Sequence, residues 1–236
     1  MTDVADARHP DLARPAAPGR IRVDCHVHTM WSGDATTTPD ELARAVVETG
    51  IDVLAITDHQ TVAGALALAE RLPCRVVVGQ ECRTPVGEVI GLFLSERVTP
   101  GLSATQVVQA IRDQGGLVYV PHPFDELRHR LRDDVLVGLA ADGGLDALEV
   151  RNAKTSLEHP NHRAAEFAQA WNLAPGAGSD AHVPAALGSA WVEVEDFADA
   201  TSFLAALHSP TARIVGHHAD PPRPWTPRVV PSTREP

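Results

Sequence analysis

A parallel α/β barrel is the fold this sequence predicts, and three observations predict it. Short apolar runs rich in β-branched residues alternate with amphipathic stretches that carry helix caps. About seven such strand–helix units fit into roughly 200 residues, which suits a closed barrel better than an open sheet. The histidines and acids able to hold a metal fall just after strands, the position a barrel gathers onto one rim.

Taken in order, residues 1–19 hold Pro10, Pro15 and Pro18 among alanines and charges with no sustained period, and are expected to form a mobile leader. Ile21 to Thr29 reads as the first buried strand, with His26 and His28 at its C-terminal end. Strand side chains alternate, so both imidazoles project the same way, about 6 to 7 Å apart, and Cys25 faces oppositely as a core residue. Two histidines so placed suit one metal ion; the alternative is a pair of solvated loop histidines. Thr38-Pro39-Asp40-Glu41 supplies an N-cap, a proline at the first turn and early acids for a helix ending at Gly50. Ile51 to Thr57 is a second strand, leading to Asp58-His59 and a helix from Thr61 to about Leu72. Arg75 to Gly79 is a third, leading to Glu81, and Arg83 to Leu94 reads as a hairpin with Glu88 on its return arm. Ser103 caps a helix running to Gly115, Leu117 to Val120 is a strand before Pro121-His122-Pro123, and Leu145 to Val150 is another before Arg151-Asn152. A helix from about Asn161 to Trp171 precedes a strand at Ala174 to Gly178, then Ser179-Asp180-Ala181-His182. A helix near Asp199–Leu207 and a short strand at Ala212–Val215 close a single domain expected over residues 20–218. Residues 219–236 hold six prolines, which exclude helix and central strand alike; they are expected to form a tail that Trp225 could anchor.

Composition narrows the function. At 236 residues the chain can bury a large core, and aromatics are only 4% while Ala, Val and Leu abound, as helices around a parallel sheet require. A formal charge of −11 argues against a stable nucleic-acid complex held by broad phosphate contact, though not against one small phosphorylated substrate, since bound cations invert the local field. Cys25, Cys74 and Cys82 form no CxxC pair and no disulfide framework. With no signal peptide and no apolar run of membrane length, the expected setting is the reducing cytoplasm. No Walker or dinucleotide fingerprint and no Gly-x-Ser-x-Gly elbow occurs, so a nucleotide would be substrate rather than cofactor.

Five ordered motifs carry the chemistry: Asp24-x-His26-x-His28-Thr29 with Ser32-x-Asp34, Ile56-Thr57-Asp58-His59, Gly79-x-Glu81, Pro121-His122-Pro123, and Gly178-Ser179-Asp180-Ala181-His182. In that order they resemble the polymerase and histidinol phosphatase (PHP) family, over about Arg22 to Gly216. The resemblance implies a distorted (β/α)7 barrel that binds two or three divalent ions (Mn, Zn or Fe) and hydrolyses phosphoesters through metal-activated hydroxide. Carried over by residue, it implies a first ion on His26, His28, Glu81 and Asp180. It implies a second ion bridged by Glu81 and held by His122, and a third on Asp34, His59 and His182. Glu88 stands where the family often has a histidine; as a ligand it would favour a harder ion such as Mn²⁺, and otherwise it is a solvated hairpin residue.

Asp24 and Asp58 are expected to orient histidines from behind, with strand-end capping as the alternative. A substrate phosphate should meet a guanidinium. Arg128 is the first candidate and Arg151, with Asn152, the second, each weighed against a surface salt bridge; Lys154 ranks below them. The expected function is thus cleavage of a phosphoester in a small phosphorylated metabolite or nucleotide. Amidohydrolase-like cleavage of a non-phosphate bond is disfavoured because Glu81, rather than a modified lysine, fills the bridging position. A non-catalytic PHP-like module would have eroded ligands, and these are nearly complete.

Overall fold

The computed structural model describes residue 12 and residues 16–216. The expected leader, apart from its last residues and residue 12, and the expected Pro-rich tail with Trp225 lie outside them. Nine strands form one sheet in the order β7-β6-β5-β4-β3-β2-β1-β8-β9 among the described residues. They are β1 (Arg20–Val27), β2 (Val53–Ile56), β3 (Arg75–Thr84), β4 (Gly87–Leu92), β5 (Leu117–Val120), β6 (Ala147–Asn152), β7 (Ala174–Gly178), β8 (Ala190–Glu195) and β9 (Arg213–Gly216). The helices are α1 (Pro39–Thr49), α2 (Ala63–Leu68), α3 (Ala104–Arg112), α4 (Asp133–Ala141), α5 (Glu158–Trp171) and α6 (Ala200–His208).

Strands β1 to β7 curl into a nearly closed barrel. The ring is joined at its C-terminal end, where Asp180 N donates to His26 O (2.8 Å) and His28 N donates to Ala181 O (3.0 Å). Distortion comes from β4, antiparallel to both β3 and β5, and from β8 and β9, which extend antiparallel from β1. The hairpin expected around Pro85–Gly87 is the β3–β4 turn. Two elements escaped the sequence pattern, α4 and β8. Helix α5 begins at Glu158, about three residues early, with Pro160 in its first turn, where no intrahelical N–H bond is required. Helix α2 is shorter than expected.

Local chemistry accounts for the elements that position the site. Thr38 and Glu41 form a capping box at the start of α1, Pro39 occupies the first turn, and Gly50 at φ 65° ends the helix. Leu42, Ala45 and Val46 of α1 then pack against Val27, Leu54 and Ile56, on the outward faces of β1 and β2. A further buried cluster includes Val23, Cys25, Val53, Ala55, Val77, Tyr119, Ala147 and Ala174, so Cys25 is a core residue as expected.

Two strands depart from strict alternation just where they meet the rim. In β1 the register shifts between Asp24 and Val27, and in β6 between Glu149 and Arg151, each placing an extra residue opposite its partner strand.

Candidate metal centre

At the C-terminal end of the barrel a cavity of about 420 Å³ is lined by residues that include Asp34, His59, Glu81, Glu88, His122, Asp180 and His182. Its floor is a tight set. His26 Nε2 and His28 Nε2 stand 3.0 Å apart, and Glu81 Oε2 lies 3.4 and 3.2 Å from them. Asp180 Oδ1 lies 3.8 and 3.6 Å from the same two nitrogens. Four donors about 2.1 Å from one ion stand roughly 3.4 Å apart at tetrahedral angles, so the spacing is that of a cation cradle.

The hydrogen bonds behind these rings sharpen the fit. His26 Nδ1 meets Glu149 Oε1 at 3.1 Å, His28 Nδ1 meets Ser32 Oγ at 3.0 Å, and His182 Nδ1 meets the Asp180 carbonyl at 2.9 Å. A ring that donates from Nδ1 leaves Nε2 as a bare lone pair. The lone pairs of His26 and His28 then face carboxylates, an arrangement of acceptors on acceptors that a cation relieves, while His182 Nε2 stands 3.1 Å from the Lys154 ammonium. Burial and the adjacent imidazole of His182 hold His28 well below the usual histidine range, which keeps it neutral as a ligand must be.

Above the floor the donors continue. His122 Nε2 lies 3.3 Å from Glu81 Oε1 and 3.8 Å from Glu88 Oε2. His59 Nδ1 lies 3.2 Å from Glu81 Oε2 and 3.8 Å from Glu88 Oε1, and its Nε2 lies 3.2 Å from Asp34 Oδ2. His182 Nε2 reaches Asp34 Oδ2 at 3.6 Å. Three overlapping groups could each hold an ion: His26, His28 and Glu81; His59, Glu81 and Glu88; and His28, Asp34, His59 and His182. The Nδ1 atoms of His59 and His122 and Oδ1 of Asp34 are buried without a hydrogen-bond partner. Burial pushes the Glu81 carboxyl upward, but the imidazoles of His26, His59 and His122 outweigh it and hold it well below the usual range. Burial and the neighbouring Glu81 carboxylate raise Glu88 instead.

All nine residues assigned to metal by resemblance therefore meet at one mouth. Glu81 lies inside β3 rather than after it, because that strand runs on past its expected end at Gly79, while β1 ends at Val27, so His26 is in the strand and His28 just beyond it. Glu88 is 4% exposed, so it is not a solvated hairpin residue. Gly87, at φ 128°, allows this: a Cβ there would stand 2.3 Å from Leu131 Cα, so the loop bearing Arg128 packs directly on the hairpin bearing Glu88.

Three expectations need correction. Asp24 and Asp58 orient no imidazole. Asp24 Oδ1 accepts from His26 N (3.3 Å) and Ser179 N (2.9 Å), while Asp58 accepts from Thr29 N (2.6 Å) and Thr29 Oγ1 (2.7 Å). Each fixes backbone next to a histidine, and burial pushes their carboxyls up to about 7 and about 6. Arg151 is not among the cavity residues; its guanidinium forks onto Glu158 at 2.9 Å to both oxygens. The register shift in β6 is the reason, since regular alternation from Glu149 would aim Arg151 inward and Asn152 outward. In its place Lys154 lines the cavity, 3.5 Å from Asp180 Oδ1, beside Arg128, whose Nη2 is 3.5 Å from Asp180 Oδ2. His129, expected at an ordinary surface, also lines the mouth.

Sequence reasoning missed Ser32 and Glu149 as supports. Ser32 Oγ also accepts from His59 N at 3.1 Å, joining two histidines. The single acid within the apolar stretch Ala147–Val150 was the available signal for Glu149.

Barrel and mouth together define an α/β protein with clusters at one rim that could hold metal ions. A model of the PHP domain matches residues 24–120, and one described as PHP-associated matches residues 158–211. The protein MJ1587 of Methanocaldococcus jannaschii is 36% identical over 146 residues, spanning 56% of this chain and 82% of that protein. A two-domain protein from Bacteroides vulgatus containing a predicted PHP-like metal-dependent phosphoesterase superposes with a TM-score of 0.71 at 18% identity, covering 86% of this chain and 67% of that one. Endonuclease Q, complexed with duplex substrate carrying an abasic lesion at its active site, superposes with a TM-score of 0.61 at 13% identity, over 83% of this chain and 58% of that one. The chain belongs to the PHP family, whose fold it shares and whose members are metal-dependent. Among the described residues no helix is long and apolar enough to cross a membrane.

Proposed function

We propose that this protein is a metal-dependent phosphoesterase that cleaves a small phosphorylated metabolite or nucleotide. The observation that carries the proposal is the convergence of imidazole Nε2 atoms on carboxylate oxygens within 4 Å at one mouth, an arrangement that bound cations would satisfy. His26, His28, Glu81 and Asp180 would hold one ion with two nitrogens and two oxygens, a mixed set that suits Zn²⁺, Fe²⁺ or Mn²⁺. Glu81, Glu88 and His122 would hold a second, and two carboxylates to one imidazole favour Mn²⁺ there. Asp34, His59 and His182 would hold a third. Bound there, such ions would supply charge neutralisation for a phosphate dianion and a water acidic enough to ionise near about pH 7.

The chain's own groups do the rest. Arg128 and Lys154, both at the mouth beside Asp180, present two cations to the phosphoryl oxygens once Asp180 is engaged in ligation. Burial lowers the Lys154 ammonium, with the neighbouring carboxylates opposing. A cavity of about 420 Å³ fits a small ester, and Leu127, 78% exposed at its edge, offers apolar surface to a leaving group. Endonuclease Q acts on DNA within the same fold, but the −11 formal charge here disfavours a long phosphate track.

Metal analysis of the purified protein, followed by a panel of phosphomonoesters, phosphodiesters and lactones with added Mn²⁺, tests this reading. Two or three ions per chain and turnover of a phosphate ester are expected; a metal-free protein, or turnover of lactones alone, would overturn it.

A further inference from the structure

We infer that Glu149 is a positioning residue that couples two of the ion sites, an inference that rests on the metal reading above. Its carboxylate is fully buried and both oxygens are engaged. Oε1 lies 3.1 Å from His26 Nδ1, while Oε2 accepts from His122 N at 2.7 Å and from Asn152 Nδ2 at 2.9 Å. One side chain thus sets the ring of an inner ligand and the backbone of a middle one.

Three features show that the fold is arranged around this contact. His122 sits at φ 29°, a left-handed conformation costly for a residue with a Cβ, and the bond from its N–H to Glu149 helps hold it there. Gly178 leaves the approach open, because a Cβ there would stand 2.4 Å from His26 Cβ and 2.7 Å from Glu149 Oε1. The register shift in β6 brings Asn152 to the same side as Glu149, and Asn152 Nδ2 also reaches Asp180 Oδ2 at 3.2 Å. A carboxylate accepting from Nδ1–H fixes the tautomer that leaves Nε2 free to ligate.

Glu149→Gln is nearly isosteric but carries only one acceptor. An amide oxygen turned to His26 puts an N–H against the His122 N–H; turned to His122, it puts an N–H against His26 Nδ1 and leaves Nε2 protonated. Either way one ion site suffers. The test is Zn²⁺ titration by calorimetry of wild type, Glu149→Gln and His122→Ala, with ¹⁵N–¹H correlation of histidine side chains in the Zn²⁺-loaded wild type. The NMR arm needs no variant to fold. The wild type should show His26 protonated at Nδ1 and bound at Nε2. Glu149→Gln should lose about 10- to 100-fold in affinity at the inner or the middle site, according to which way the amide turns. His122→Ala should weaken the middle site while leaving the inner one within about two-fold. A wild type that binds Zn²⁺ with His26 unprotonated at Nδ1, or a Glu149→Gln variant with unchanged affinities, would overturn the coupling alone. A wild type that binds no Zn²⁺ would overturn this inference and the metal reading together.

Discussion

At the inner end of the cavity the side chains of His26, His28, Glu81 and Asp180 are at most 2% exposed; at the outer end those of Asp34, His59 and His182 are 11 to 28% exposed. The inner group comes from β1 and from His28 just past its end, from β3, and from the hydrogen bonds that join the ring at His28 and Asp180. The outer group stands on connecting segments, tied through Ser32 and the Asp180 carbonyl. Donors of the same chemical types are thus held by sheet at one end and by loops at the other. Loops open at lower free energy than sheet cores, so the outer ion should exchange while the inner one stays.

That contrast can be broken in graded steps. The largest effect is expected from Glu81→Ala, which removes a carboxylate shared by the inner and middle sets. More than one ion should be lost per chain, and turnover should fall by more than the roughly 10- to 100-fold typical of a lost supporting partner; metal analysis with steady-state rates checks both. His59→Ala should next abolish turnover while sparing the inner ion and leaving the melting temperature of metal-free protein within about 2 °C, since it empties no core position. Full activity in that variant would contradict the outer assignment. Arg128→Ala should raise KM about ten-fold with a smaller change in kcat, the loss of one charge-assisted contact to substrate.

A smaller effect depends on pH. Burial raises the Asp24 carboxyl to about 7 in the folded protein, above the unfolded value near 3.8. The folded state therefore holds that proton more tightly, and the contribution of Asp24 to stability falls as pH rises from about 4 to 7. Asp24→Asn cannot ionise, so its melting temperature relative to wild type, both metal-free, should climb over that interval; a flat difference would remove the burial argument. Arg151→Ala should change kcat/KM by less than about two-fold, because its partner Glu158 stands half exposed outside the cavity.

Much of this was legible in the sequence. The alternation of apolar runs and caps disclosed the barrel, and the phasing of histidines with strand ends disclosed the mouth. What stayed hidden has physical causes. α4 carries a weak periodic signal, whereas the alternation Val192-Glu193-Val194-Glu195 in β8 was present and passed over. Glu149 was passed over because a single acid in an apolar strand says nothing about which face it will take. The misassignment of Arg151 has the same root: period-two reasoning is sound until a strand bulges, and the bulge between Glu149 and Arg151 depends on the neighbouring strand as much as on β6 itself.

The irregularity in β6 also sets engineering and evolution against each other. Inserting one residue into β7 between Gly176 and Ala177 would give Val150 a partner and let β6 pair with β7 without interruption, and so would make a better ladder. Regular alternation from Glu149 would then turn the amide of Asn152 away from Asp180 and bring the Arg151 guanidinium into the cavity. Selection for thermal robustness alone would thus favour a smoother strand, and only selection for turnover would keep the kink.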